Sequence, residues 1–327
     1  MNFPRWGDPT PFTVVELRRG REVPYPDART NDPATGPAAH RFVSVQSVVV
    51  DQADRLWVLD TGRPRFGPPV PGGPKLVGID LRTDRVVRRI TFPPDVALPT
   101  TYLNDVRFDL RRGVAGVAFV TDSSDTGPNA LIVVDLASGR SWRRLHAHPS
   151  VTAEPDFTPV IEGRPVLVRP PEGPATSLAV GVDGVAIGAD GRRLYYCPLA
   201  GRSLFSVSVD AVADPGRTDA AVARTVRHHG VKGMSDGLES DDRGRVYGGD
   251  LERNSIIRRR PDGLFETVVQ DPALLWPDTL SVGPDRGLYM IVNQLHRGPR
   301  HQRGRDLRRR PYLLLRTPLD AGPVRLR

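Results

Sequence analysis

One short pattern recurs five times along this chain. A polar residue opens a short apolar strand, a turn rich in Asp or Gly follows, and a second strand carries an aromatic residue. The polar and aromatic positions are Gln46 and Trp57, Asn104 and Phe119, Asp183 and Tyr195, Asp236 and Tyr247, and Asp278 and Tyr289. Because such internal repeats decide the architecture of a chain, they are the strongest constraint on its fold.

A second hairpin pattern, with an apolar run, an acid–leucine step and a tight turn, follows the first two copies at 77–87 and 132–142. A complete repeat therefore has four strands. A third example of this outer hairpin, at 12–23, has no inner hairpin before it. The sequence thus predicts an all-β, six-bladed β-propeller with an incomplete N-terminal blade. We expect a single domain over 1–327, in which residues 1–40 form the partial first blade and a loop.

The hairpin at 12–23 by itself would leave an unpaired strand edge. We therefore expect about 40 further residues upstream, enough for a half blade and a targeting segment. No signal peptide is visible, because residues 1–20 lack a basic segment followed by an apolar one. The localisation is left open by the sequence.

Composition excludes several classes of protein. The one cysteine, Cys197, rules out an internal disulfide framework and a zinc ribbon. The net charge of +8 is carried almost entirely by scattered arginines, since only Lys75 and Lys232 are lysines. The exception is 297–310, with seven arginines in fourteen residues, which is interpreted as a solvated loop. Neither a nucleic acid nor a membrane is expected as a partner.

The polar residues that open the repeats are expected to meet, because the first strand of each blade runs nearest the axis of a propeller. Converging carboxylate and amide oxygens are what Ca²⁺ requires. The pattern therefore predicts a metal site made of Asn104, Asp183 and Asp236. The alternative is that each side chain caps its own strand by binding backbone N–H groups. Without a cation, packed acids would drive at least one carboxyl group toward its protonated form.

Six stretches carry more specific signatures, of which the runs around Trp276 and around Tyr195-Tyr196 are the most distinctive. The stretches are 44–46 with 55–62, 102–106, 130–136, 194–199, 235–237 and 275–281. Together they resemble the bacterial branch of the major royal jelly protein/yellow family, also called dopachrome-tautomerase-related, over most of 39–318. The resemblance implies a six-bladed propeller that is often secreted. It also implies that some relatives bind small aromatic amines, while many have no assigned reaction.

The expected function is binding of a small molecule at the channel mouth by a monomer. The ligand-binding residues would be Gln46, Tyr102, Trp276 and Asp278, because an apolar wall with a few polar groups is typical of such sites.

An alternative is a calcium-dependent lactone hydrolase of the gluconolactonase type, a more distant likeness. There the metal would polarise a carbonyl group, and Asp183 or Asp236 would be the catalytic base. A third alternative is a protein-interaction platform. No Gly-x-Ser-x-Gly nucleophile elbow is present, and His228 and His229 are placed in a loop before Asp236. Whether any reaction is catalysed stays open.

Overall fold

The computed structural model describes all 327 residues and is built almost entirely from short β-strands. The 33 prolines and 32 glycines keep helices short, and the longest α-helix has five residues. None of the helices has the length and hydrophobicity needed to cross a membrane. The chain divides into two compact units. The first comprises 1–124, 132–143 and Arg327, and the second comprises 125–131 and 144–326.

The first unit begins with a two-stranded hairpin, β1 (Val15–Arg18) and β2 (Arg21–Pro24). The next stretch contains helix α1 (Ala28–Asn31) and a 3-10 helix (Ala38–His40), where the sequence predicted only a loop. Buried Asn31 holds this stretch to the hairpin. Its side chain accepts hydrogen bonds from the backbone of Thr13 and Val14 and donates to the carbonyl group of Tyr25.

Two four-stranded blades follow, each with its strands hydrogen-bonded in chain order. The first blade consists of β3 (Val45–Val50), β4 (Arg55–Asp60), β5 (Lys75–Asp80) and β6 (Arg85–Thr91). The second blade consists of β7 (Leu103–Asp109), β8 (Val117–Asp122), β9 (Ala130–Asp135) and β10 (Ser141–Arg144). Alternating apolar residues of the two blades share a core in which Trp57 stacks on Phe108 with ring centroids 5.3 Å apart.

The second unit opens with a proline-rich excursion that contains two small ribbons, as the proline density predicts. Their strands are β11 (Val160–Ile161) with β12 (Arg164–Pro165), and β13 (Leu167–Val168) with β14 (Thr176–Ser177).

Three more blades complete the second unit. The third blade consists of β15 (Val182–Ile187), β16 (Arg193–Pro198), β17 (Ser203–Ser208) and β18 (Arg227–Val231). Helices α2 (Val209–Ala213) and α3 (Asp219–Ala223) lie between β17 and β18. The fourth blade consists of β19 (Leu238–Ser240), β20 (Val246–Asp250), β21 (Ser255–Arg259) and β22 (Phe265–Gln270). The fifth has three strands, β23 (Pro277–Val282), β24 (Gly287–Val292) and β25 (Leu313–Pro318).

The all-β, β-propeller arrangement of blades is confirmed, but the prediction of six blades is wrong, because there are five. The N-terminal hairpin β1–β2 does not become a sixth blade. The residues before it supply only an isolated bridge between Asn2 and Val14, and no inner pair of strands. The histidines were also misplaced. His228 and His229 lie in β18, the outermost strand of the third blade, and not in a loop before Asp236.

Candidate functional site

The polar residues that open the repeats coincide with irregularities in strand pairing. The register between the two inner strands shifts at Gln46, at Asn104, at Asp183 and at Asp278. In the fourth blade, pairing starts only at Leu238, just after Asp236. A bulge redirects the side chain of the extra residue, and bulges are common next to functional sites. The repeat therefore places a redirected polar side chain at the start of each inner strand.

In the second unit, glycines bring three of these strand starts close together. A Cβ atom on Gly184 would lie 2.4 Å from the carbonyl oxygen of Asp236, and one on Gly237 would lie 2.6 Å from that of Asp278. The backbone of Gly237 also donates a hydrogen bond of 2.8 Å to the carbonyl oxygen of Asp278. The glycine of each Asp-Gly step thus allows the backbones of neighbouring inner strands to approach closely, since any other residue would place a Cβ atom in the gap.

As a result, Asp183, Asp236 and Asp278 form one acidic cluster within the second unit. Asp183 and Asp236 are buried, whereas Asp278 is partly exposed. The indole N–H of Trp276 donates a hydrogen bond of 2.6 Å to Oδ2 of Asp236. Asp278 accepts hydrogen bonds from the amide of Asn293 and, at 3.0 Å, from the hydroxyl group of Thr279.

Burial raises the pKa of Asp236 well above its usual range, and the nearby charges of Asp278 and Asp183 raise this pKa further. A hydrogen bond between the carboxyl groups of Asp236 and Asp183 acts in the same direction, because it requires one of the two to carry a proton. Only the hydrogen bond from Trp276 opposes the shift. Acids packed together without a cation are expected to behave in this way.

Trp276 is held in place by more than this bond. It is fully buried, and its backbone has a φ of 67°, which is uncommon for a bulky residue and is a form of local strain typical of functional sites. Its ring stacks on buried His296, with centroids 5.9 Å apart, and also contacts buried His301 in a tilted arrangement, with centroids 6.4 Å apart.

These histidines belong to the segment around the arginine-rich stretch, which the sequence predicts as a solvated loop. Residues 303–307 and 309–310 are exposed, whereas the start of the stretch packs against the proline-rich excursion. His296 binds Glu162 of the proline-rich excursion at 2.8 Å, and Arg297 pairs with the same carboxylate. The backbone of Arg169 donates to the carbonyl oxygen of Arg300 at 2.8 Å. The excursion and the arginine-rich segment thus form one cap over Trp276, which we call the histidine cap.

The first unit contains the other predicted ligand residues. The hydroxyl group of Tyr102 donates to the side-chain oxygen of Gln46 at 2.8 Å and accepts the indole N–H of Trp6 at 2.5 Å. The ring of Phe66 stacks on both Trp6 and Tyr102, with centroids 5.7 and 5.4 Å away. Gln46 and Tyr102 are therefore neighbours in an aromatic stack.

The predicted metal ligands do not all belong to one unit. Asn104 lies on β7 of the first unit, whereas Asp183 and Asp236 lie in the second. Beside Asn104, Asp105 accepts the backbone N–H of Val106, a local capping bond. Nowhere are three His, Cys, Asp or Glu side chains arranged to hold a metal ion. Calcium binding stays a prediction.

Sequence reasoning missed Trp6, Phe66, Asn293 and the two cap histidines. One signal pointed to Asn293, because Asp60, Asp122 and Asp250 each end the second strand of their blade and Asn293 directly follows the equivalent strand. The other four have no repeat position, since they lie outside the recurring hairpins. Only tertiary packing brings them to the site.

Comparison with known proteins supplies a family context. The model of the family described as major royal jelly protein matches residues 43–318. The chain is similar to protein yellow of Drosophila erecta and of Drosophila melanogaster, each 29% identical over 239 residues that cover 67% of this chain and 40% of the relative. It thus spans about two fifths of the length of these relatives. A luciferin-regenerating enzyme has the same fold, with a TM-score of 0.50 and 13% identity over 87% of this chain and 95% of that one.

Proposed function

The chain belongs to the major royal jelly protein family, and from that premise we propose that it binds a small organic cation at Asp183, Asp236 and Asp278. The observation that carries this proposal is the burial of Asp236 beside two further carboxyl groups, those of Asp183 and Asp278, on strand starts that glycines bring close together. Burial and these acidic neighbours both raise the pKa of Asp236. A cation bound beside the cluster would offset the repulsion between the carboxylates and so favour the ionised form of Asp236.

The surroundings of the cluster favour an organic cation. A metal ion such as Ca²⁺ needs six to eight oxygen ligands. Here the indole of Trp276 already occupies one oxygen of Asp236, and the amide of Asn293 occupies one of Asp278. An amine makes fewer and more directional contacts than a metal ion, and a site of this kind combines a few polar groups with apolar packing. An aromatic amine is the ligand class that the family resemblance implies.

Binding should release a proton, because a cation near Asp236 lowers the pKa of that carboxyl group toward its usual range. Calorimetric titration with phenethylamine in two buffers of different ionisation enthalpy measures this release. The acid 3-phenylpropionate, similar in size and opposite in charge, is the control ligand and should not bind. Asp236→Asn should weaken amine binding by about tenfold or more and abolish the proton release, since it removes a charge-assisted hydrogen bond.

Asp285→Asn is the matched control variant, because Asp285 is an exposed acid in the turn of the fifth blade, where it binds Tyr289 and Arg316. It should bind phenethylamine like the unchanged protein. Absence of amine binding, or equal weakening in both variants, would reject the proposal. A rise in melting temperature with Ca²⁺ alone would instead support the predicted metal site and make lactone hydrolysis the next assay. Gln46 and Tyr102, in the aromatic stack of the first unit, remain proposed ligand residues in their own right, and a separate titration of Tyr102→Phe with phenethylamine tests them.

A further inference from the structure

An open cavity of about 550 Å³ on the first unit is lined by seven residues with polar side chains and by Gly36 and Pro37, and carbon atoms contribute most of its surface. Its lining consists of Asp27, Arg29, Thr30, Thr35, Gly36, Pro37, His40, Arg41 and Arg89. The cavity thus lies between the α1 region and β6, the outermost strand of the first blade. It shares no residue with the acidic cluster or with the aromatic stack, so it is a separate feature.

Three arginines from separate segments line this cavity. Arg29 lies on α1, Arg41 follows the 3-10 helix, and Arg89 lies on β6. None of the three is paired with a carboxylate. By contrast, Arg55 of the same blade pairs with Asp51 at 2.7 Å. Like charges that share a cavity repel one another, so this arrangement is most stable when an anion lies between them.

Apart from His40, the other polar side chains of the lining are already engaged. Asp27 caps α1 and accepts the backbone N–H and the hydroxyl group of Thr30, at 2.7 and 3.0 Å. The hydroxyl group of Thr35 donates to Asp32 at 2.8 Å. Nε of Arg41 donates to the carbonyl oxygen of Gly36 at 3.2 Å, and this bond fixes the Nε end of the guanidinium group. The three arginines and His40 are therefore the groups left to bind a ligand.

Charge and shape indicate the class of ligand. Three arginines and one aspartate give the lining a charge of +2, from three positive charges and one negative charge. The volume falls in the range of small-molecule sites, about 300–1,000 Å³. The lining has no Phe, Tyr or Trp on which nucleic-acid bases could stack. We propose that this cavity binds a small oxyanion with two or more negative charges, through Arg29, Arg41 and Arg89.

The test is calorimetric titration of the full chain with pyrophosphate at low ionic strength, where such contacts are strongest. Citrate is the second probe and separates a preference for phosphate from one for carboxylate. We expect one site, and about tenfold or greater weakening in Arg41→Ala and in Arg89→Ala, because each variant removes a charge-assisted contact. Arg85→Ala is the matched control, since Arg85 is exposed on the same strand but does not line the cavity.

Two results would overturn the proposal. One is that neither pyrophosphate nor citrate binds the unchanged protein. The other is that Arg85→Ala weakens binding as much as Arg89→Ala does, which would indicate only general attraction to a basic surface. If Arg41→Ala lowers the melting temperature, Arg29→Ala and Arg89→Ala decide the matter, since both arginines are exposed and their removal should leave the fold intact.

Discussion

At the scale of single residues, the recurring aspartate of the inner turn explains much of the repeat. Asp51 accepts the backbone N–H groups of Ala53 and Arg55, the guanidinium of Arg55 and the indole of Trp57. Asp241 repeats this arrangement at the same spacing with Arg243, Arg245 and Tyr247. In these two blades the aromatic residue of the repeat is therefore a packing residue whose polar tip also fixes the turn before it.

The buried turn carboxylate should be important for stability. In Asp241→Ala, buried Tyr247 loses its hydrogen-bond partner, and Arg245 keeps only its ion pair with Asp320 at 2.6 Å. We expect the free energy of unfolding to fall by about 1–3 kcal/mol, the usual cost of leaving buried hydrogen-bonding groups without a partner. Denaturant titration measures this change.

Asp190→Ala is the matched control for that experiment. Asp190 occupies the corresponding turn of the third blade, but its side chain is 60% exposed and Arg192 lies 3.8 Å away. We expect a loss below about 1 kcal/mol, because exposed ion pairs contribute little. Equal losses of unfolding free energy in the two variants would show that burial of the turn carboxylate does not determine its contribution to stability.

At the scale of structural elements, the inner strands of the second unit are held together by glycine. In Gly237→Ala, the new Cβ atom would lie 2.6 Å from the carbonyl oxygen of Asp278, so the start of β19 would have to move away from β23. We expect a loss of stability of about 1–3 kcal/mol, typical of overpacking, together with weaker phenethylamine binding. Thermal unfolding and calorimetric titration measure the two effects.

Gly216→Ala serves as the comparison, because the nearest atom to its new Cβ atom would be an oxygen of Asp214 at 3.4 Å, an ordinary contact. This variant should unfold and bind like the unchanged protein. If Gly237→Ala behaved in the same way, the close approach of the strands would not be what assembles the acidic cluster.

At the scale of the whole molecule, the histidine cap shows how segments distant in sequence complete a site. Glu162 lies in the proline-rich excursion, and His296 and His301 lie more than a hundred residues later. Burial lowers the pKa of His301 to about 4 and also lowers that of His296, so the cap is built around neutral imidazoles. The hydrogen bond from Arg297 helps to lower the pKa of Glu162 to about 2.

These shifts predict loss of stability in acid. The pKa of a histidine is about 6.5 in an unfolded chain, whereas His301 in the folded protein resists protonation until about pH 4. The unfolded state therefore binds more protons between these values, and stability falls as the pH drops from about 6.5 to 4. His301→Gln should flatten this part of the profile of unfolding free energy against pH.

His146→Gln is the control for the cap, because His146 is exposed and lies outside it. It should leave the profile unchanged. A profile that is equally steep in His301→Gln would show that the buried cap imidazole does not cause the acid sensitivity.

The repeated pattern of strands, turns and aromatic residues was sufficient to predict the all-β blades, because local hydrogen bonding and strand periodicity act within about forty residues of sequence. It also singled out Asp183, Asp236 and Asp278, because each opens an inner strand. Which groups would contact them was decided only by tertiary structure. Trp276 and Asn293 reach the cluster, and His296 reaches Trp276, through loops whose paths depend on long-range packing. The number of blades likewise depended on strand pairing. The hairpin at 12–23 has the pattern of the outer half of a blade. Such a hairpin completes a blade only where inner strands are present to pair with its edge strand.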